Sequence, residues 1–204
     1  MIHNIWSFRF IPQAWCRPEC LEADELFDDD LVSVSRAIKA KKSLARLHLN
    51  DHVLSLEWFD NAARCAVLEG FQAFEFLCMK VGLSAAKTSI RKTIDADQVK
   101  LLYQHFDSKL IEALVFDGGA IALSSEVDTR VKRYIKTFSG DWLNPQNIGC
   151  VGYALFLSQP WPLAVKRRLG FMAPNAWMTS TPTHIACPEP EFITLIASIK
   201  QVPH

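Results

Sequence analysis

The sequence predicts an all-α fold, an irregular (orthogonal) multi-helix bundle built as a single domain of residues 1–204. Apolar residues recur at three- and four-residue steps along most of the chain, which is typical of helices that pack on one face. Residues that cap or stop helices stand at the ends of these segments, and only brief alternations of apolar and polar residues suggest a strand. Half of the residues are hydrophobic, which favours a packed core over disorder.

Residues 54–119 form the longest apolar block without proline, and we predict that they are the central helical scaffold. One long helix should be followed by two or three shorter ones. We expect Gly82 to end the long helix and Ser84 to cap the next segment, with Asp95 and Asp107 as later N-caps. The stripe that predicts the long helix consists of Ala63, Val67, Gly70, Phe71, Phe74, Cys78 and Val81.

The second half of the chain predicts four further helices. An amphipathic helix should run from residue 126 to about 139, after a capping box formed by Ser125 and Asp128. Asn144 and Pro145 are typical of the N-cap and first position of a helix that extends to about residue 158. We expect a short helix to end at Gly170 and a last helix to cover about 191–200.

Both ends of the chain depart from this helical pattern. Residues 1–18 are apolar and interrupted by prolines, so we expect an N-terminal strap that lies across the core. An acidic run and a basic run follow between residues 19 and 46, and such runs are most often solvated helix faces. Residues 171–190 are rich in proline and predict an irregular C-terminal arm.

Composition narrows the functional classes. The formal net charge is +0, so no global field favours nucleic acid or an anionic membrane surface. Charged residues interrupt every apolar run well before the roughly 20 residues of a membrane span. No secretory signal opens the chain, so we expect a cytoplasmic protein. We expect the six cysteines to be reduced and structural, because disulfide frameworks belong mainly to short secreted domains.

Two histidines are the strongest metal-ligand candidates in the sequence. His48 and His52 stand four residues apart, which places two imidazoles on one face of a helix. No third ligand is indicated, and Leu49 stands where a zincin motif has glutamate. We therefore predict no metal, no cofactor and no enzymatic activity. A metal-dependent helical enzyme that uses His48 and His52 is the alternative.

Basic clusters on two predicted helices are the best candidates for partner contacts. A nucleic-acid reader more often has an overall basic chain and a recognisable module, so we expect no nucleic-acid partner. An acidic protein surface fits these clusters, because charge complementarity steers association and fixes register. The candidate partner-binding residues are Arg130, Lys132, Arg133, Lys136, Lys166, Arg167 and Arg168.

Five stretches of apolar, proline and glycine residues carry a family resemblance that spans most of the chain. They are Phe8–Pro12, Phe76–Leu83, Ile90–Ile94, Tyr153–Leu157, and Pro160–Leu163 leading into Lys166–Leu169. Read as a series, they resemble the SctK/YscK family, the K subunit of the bacterial type III secretion sorting platform. Residues 14–54 and 171–188 contribute little to the resemblance.

The resemblance implies a non-enzymatic adaptor at the cytoplasmic face of the inner membrane, with a role in virulence-associated protein transport. Members of that family link the cytoplasmic domain of the inner-membrane ring subunit to the pod subunit of the sorting platform. They offer no catalytic residues to carry over. A secretion chaperone is a further alternative, although such chaperones are commonly small, acidic and dimeric, unlike this larger neutral chain.

Overall fold

The computed structural model describes residues 56–69, 71–93, 95–117, 123–138, 142–174, 176–177, 185–200 and 202. The predicted N-terminal strap, the charged runs between residues 19 and 46, and both His48 and His52 lie outside these residues. What the sequence predicts for them stays a prediction.

Every regular element among the described residues is helical, which confirms the predicted all-α fold. Two short turns of 3-10 helix cover Leu56–Phe59 and Ala66–Glu69, and a π-helix covers Glu112–Phe116. The α-helices are α1 Ala62–Cys65, α2 Phe71–Thr93, α3 Ala96–His105, α4 Ser108–Ile111, α5 Ser125–Ile135, α6 Pro145–Leu157, α7 Leu163–Met172 and α8 Glu189–Lys200.

The chain divides into two compact units. The first comprises Met1–Phe74 with Trp161–Pro174, and the second comprises Glu75–Pro160 with Asn175–His204. Helix α7 therefore belongs to the first unit, whereas α3 to α6 and α8 belong to the second. The prediction of one domain over residues 1–204 stays a prediction.

An aromatic cluster forms part of the core of the first unit. The Trp58 ring packs edge-on against the rings of Phe59 and Trp161, with centroid distances of 4.8 and 5.6 Å. All three side chains are buried. The Arg64 guanidinium lies 6.0 Å from the centre of the Trp58 ring and donates a hydrogen bond to the Trp58 carbonyl oxygen. Edge-on aromatic pairs of this kind add about 0.5–1.5 kcal/mol beyond their buried area.

The predicted long helix begins later than expected. Residues 56–69 form short turns, and α2 starts at Phe71. The apolar stripe is nevertheless a core stripe, because the side chains of Val67, Phe74, Cys78 and Val81 are fully buried. The pattern therefore identified these four buried residues correctly and placed the start of the long helix too early.

Helix α2 continues through Gly82 and Ser84, so the predicted helix end and the predicted cap at these two residues are wrong. A Cβ atom at Gly82 would lie 1.9 Å from the Ile148 carbonyl oxygen of α6. A Cβ atom at Gly152 of α6 would lie 1.9 Å from the Cys78 carbonyl oxygen of α2. Gly82 is thus a contact point between two helix backbones, which approach this closely because glycine has no side chain.

Three predicted N-caps are confirmed. Asp95 accepts a hydrogen bond from the Gln98 amide at 2.9 Å, and Asp107 accepts one from the Lys109 amide at 2.9 Å. The Asn144 side chain caps α6, whose first turn contains proline as predicted. Each bond satisfies an amide that the first helical turn leaves unpaired, which is worth about 0.5–2 kcal/mol.

Helices α6 and α8 complete the described core of the second unit. The Phe156 ring meets the Phe192 ring edge-on at 4.9 Å. As predicted, α6 buries Val151, Ala154, Leu155 and Phe156. Helix α8 buries Phe192, Leu195, Ile196 and Ile199, as predicted. Ile193, which was also predicted to face the core, is half-buried.

The predicted irregular arm is shorter than expected. Helix α7 continues through Gly170 to Met172, so the predicted helix end at Gly170 is wrong. Helix α8 starts at Glu189, before the prediction. Part of the arm between these helices packs in the core, because Trp177 is buried. The Trp177 ring lies 5.9 Å from the Tyr153 ring. It also lies so close to Gly149 that a Cβ atom there would clash with the Trp177 side chain.

Candidate partner-binding surfaces

Helix α5 carries Arg130, Lys132 and Arg133 of the predicted contact residues, and Lys136 is its C-cap. Its N-cap is Ser124, whose hydroxyl accepts a hydrogen bond from the Val127 amide at 3.4 Å. The predicted capping box of Ser125 and Asp128 is therefore wrong by one residue. In a capping box, a carboxylate from the first helical turn accepts a hydrogen bond from the N-cap amide. Here Glu191 of α8 takes that place, because it accepts hydrogen bonds from the Ser124 amide and from the Ser124 hydroxyl, the latter at 3.1 Å.

The apolar face of α5 confirms the predicted amphipathic pattern. Val127, Val131, Tyr134 and Ile135 are buried. The half-buried Phe138, just after the helix, packs edge-on against Tyr134 at 5.0 Å. With this face turned inward, the basic residues of α5 lie along its flanks and its outer side.

Two of these basic residues are engaged within the molecule. The half-buried Arg130 donates a hydrogen bond to the Ala186 carbonyl oxygen at 2.7 Å and pairs with Glu126. Lys132 pairs with Asp128. Both pairs have the acidic residue four positions before the basic one, an arrangement that stabilises a helix by about 0.2–0.5 kcal/mol. Arg130 and Lys132 are therefore weaker candidates for a partner than the sequence predicted.

Arg133 of α5 and Lys136, its C-cap, remain as an exposed pair. They stand three residues apart, so their side chains are neighbours on the helix surface. Within the part of the chain that the structure describes, neither has an ion pair with a carboxylate. We name Arg133 and Lys136 the α5 cationic face.

Helix α7 of the first unit separates its three consecutive basic residues. Arg167 is exposed and Lys166 is half-buried, but Arg168 is only 2% exposed. The expectation that Arg168 is a surface contact residue is therefore wrong. The reason is its position on the helix, because Arg168 lies within the arc that contains the buried Val165 and Met172.

The buried thiols of the second unit have little reactivity. Burial raises the pKa of Cys150 to about 11, and burial with a nearby Glu191 raises the pKa of Cys187 to about 12. Burial also raises the pKa of Cys78 well above its ordinary value. These thiols are protonated at neutral pH, and the thiolate is the form that attacks electrophiles and binds metals. They behave as small apolar side chains.

The described residues contain no group of three or more histidine, cysteine or acidic side chains placed to hold a metal ion. His48 and His52 lie outside these residues, so the metal-dependent alternative gains no further support. Among the described helices, none is both long enough and apolar enough to cross a membrane. Comparison of the chain with protein-family models, curated proteins and solved structures finds no match.

The sequence contained signals that separate Arg130 and Lys132, which form ion pairs, from Arg133 and Lys136, which form none with the described residues. Glu126 and Asp128 each stand four residues before a basic residue, a spacing that predicts pairing. Arg133 and Lys136 have no acidic residue at that spacing before them. The hydrogen bond from Arg130 to the Ala186 carbonyl had no sequence signal, because the two residues are 56 positions apart.

Proposed function

We propose that this protein is a non-enzymatic cytoplasmic adaptor of a bacterial type III secretion sorting platform. It links the cytoplasmic domain of the inner-membrane ring subunit to the pod subunit. The ordered resemblance of five stretches of the chain to the SctK/YscK family names this system and these partners. The helical architecture agrees with a rigid scaffold. Two of the resembling stretches, Phe76–Leu83 and Tyr153–Leu157, and residues 90–93 of a third fall on α2 and α6.

The observation that carries a binding role is the α5 cationic face. Arg133 and Lys136 are exposed, and their neighbours Arg130 and Lys132 are neutralised by Glu126 and Asp128. A cationic pair that has no ion-pair partner among the described residues, on a helix capped at Ser124, is suited to an acidic protein surface. Complementary charges of this kind accelerate association and select the partner.

Binding of both predicted partners by the full-length chain tests the proposal. The cytoplasmic domain of the ring subunit and the pod subunit are each titrated against the protein at moderate salt, by calorimetry or pull-down. We expect both to bind. If neither binds, the adaptor proposal is lost.

Charge reversal then tests the α5 cationic face. The double variant Arg133→Glu with Lys136→Glu should weaken one of the two partners by about tenfold or more, since reversal replaces attraction by repulsion. The matched control is Lys92→Glu with Lys200→Glu, which makes the same change of charge at two exposed positions elsewhere. If the two double variants bind alike while the wild type binds, the α5 cationic face is removed from the proposal.

A further inference from the structure

We draw no further inference here: the strongest candidate, the exposed Leu163 side chain at the start of α7 with Lys166 and Arg167 one turn further along the same side of the helix, is a small surface patch for which nothing in the described structure shows what covers it.

Discussion

Helices α2 and α5 both carry basic residues, and the protein uses these residues in opposite ways. In α2, Lys80 and Lys87 are 4% and 8% exposed. The Lys80 ammonium lies 4.8 Å from the centre of the Phe76 ring and donates a hydrogen bond to the Val202 carbonyl oxygen at 3.3 Å. Burial, with the nearby Arg91, lowers the pKa of Lys87. In α5, by contrast, Arg133 is exposed on the outer side of the helix.

The contrast follows from how much of each helix is covered. Gly82 lets α6 approach one side of α2, and the opposite side, which carries Lys80 and Lys87, is buried as well. Helix α5 has one buried face and an outer side that includes Arg133 and Lys136. A basic residue is therefore a candidate for binding only where its side of the helix stays uncovered.

The largest expected effect is at the crossing of α2 and α6. Gly82→Ala should lower the free energy of unfolding by about 2 kcal/mol or more, because overpacking against a backbone carbonyl outweighs the gain of about 1 kcal/mol in helix propensity. Chemical denaturation measures the change. Gly149→Ala is the graded control, since its Cβ would meet the Trp177 side chain at 2.1 Å, and a side chain moves more easily than a backbone. A stabilised Gly82→Ala variant would show that the two helices do not cross this closely.

A smaller effect is expected at the start of α5. Ser124→Ala should lower the free energy of unfolding by about 1 kcal/mol, because it removes the cap of the Val127 amide. The adjacent Ser125→Ala should change it by less than about 0.5 kcal/mol, since Ser125 is an exposed residue inside the helix. Thermal unfolding of both variants compares the two serines. Equal losses, or a larger loss for Ser125→Ala, would favour the capping box predicted from the sequence.

The smallest effects separate two arginines of α5. Arg130→Ala should lower the free energy of unfolding by about 1 kcal/mol, because it removes a charged donor from the Ala186 carbonyl oxygen. Arg133→Ala should change it by less than about 0.5 kcal/mol, as is usual for exposed surface positions. Denaturation curves recorded under the same conditions measure both. If Arg133→Ala is as destabilising as Arg130→Ala, Arg133 has a structural role and the α5 cationic face loses its best residue.

Three N-caps that depend on neighbours in sequence were predicted correctly, whereas the helix ends at Gly82 and Gly170 and the caps at Ser84 and Ser125 were not. The caps at Asp95, Asp107 and Asn144 depend on an amide two or three residues further along the chain. The buried faces of α5 and α8 follow from the helical repeat, which the sequence displays directly. The engaged state of Arg130 and Lys132 could also have been predicted, since their acidic partners stand four residues before them.

The sequence by itself therefore determined that the chain is helical, which faces of its helices are apolar, and where several helices begin. The tertiary structure decided the role of individual residues. Gly82, which was predicted to end a helix, lies inside α2 and contacts the backbone of Ile148. Glu191 accepts a hydrogen bond from the amide of Ser124, the N-cap of α5. The tertiary structure also buried Arg168 and left Arg133 exposed. The physical reason is that helix formation and capping depend on bonds within a few residues, whereas burial depends on which distant segment covers each side of a helix.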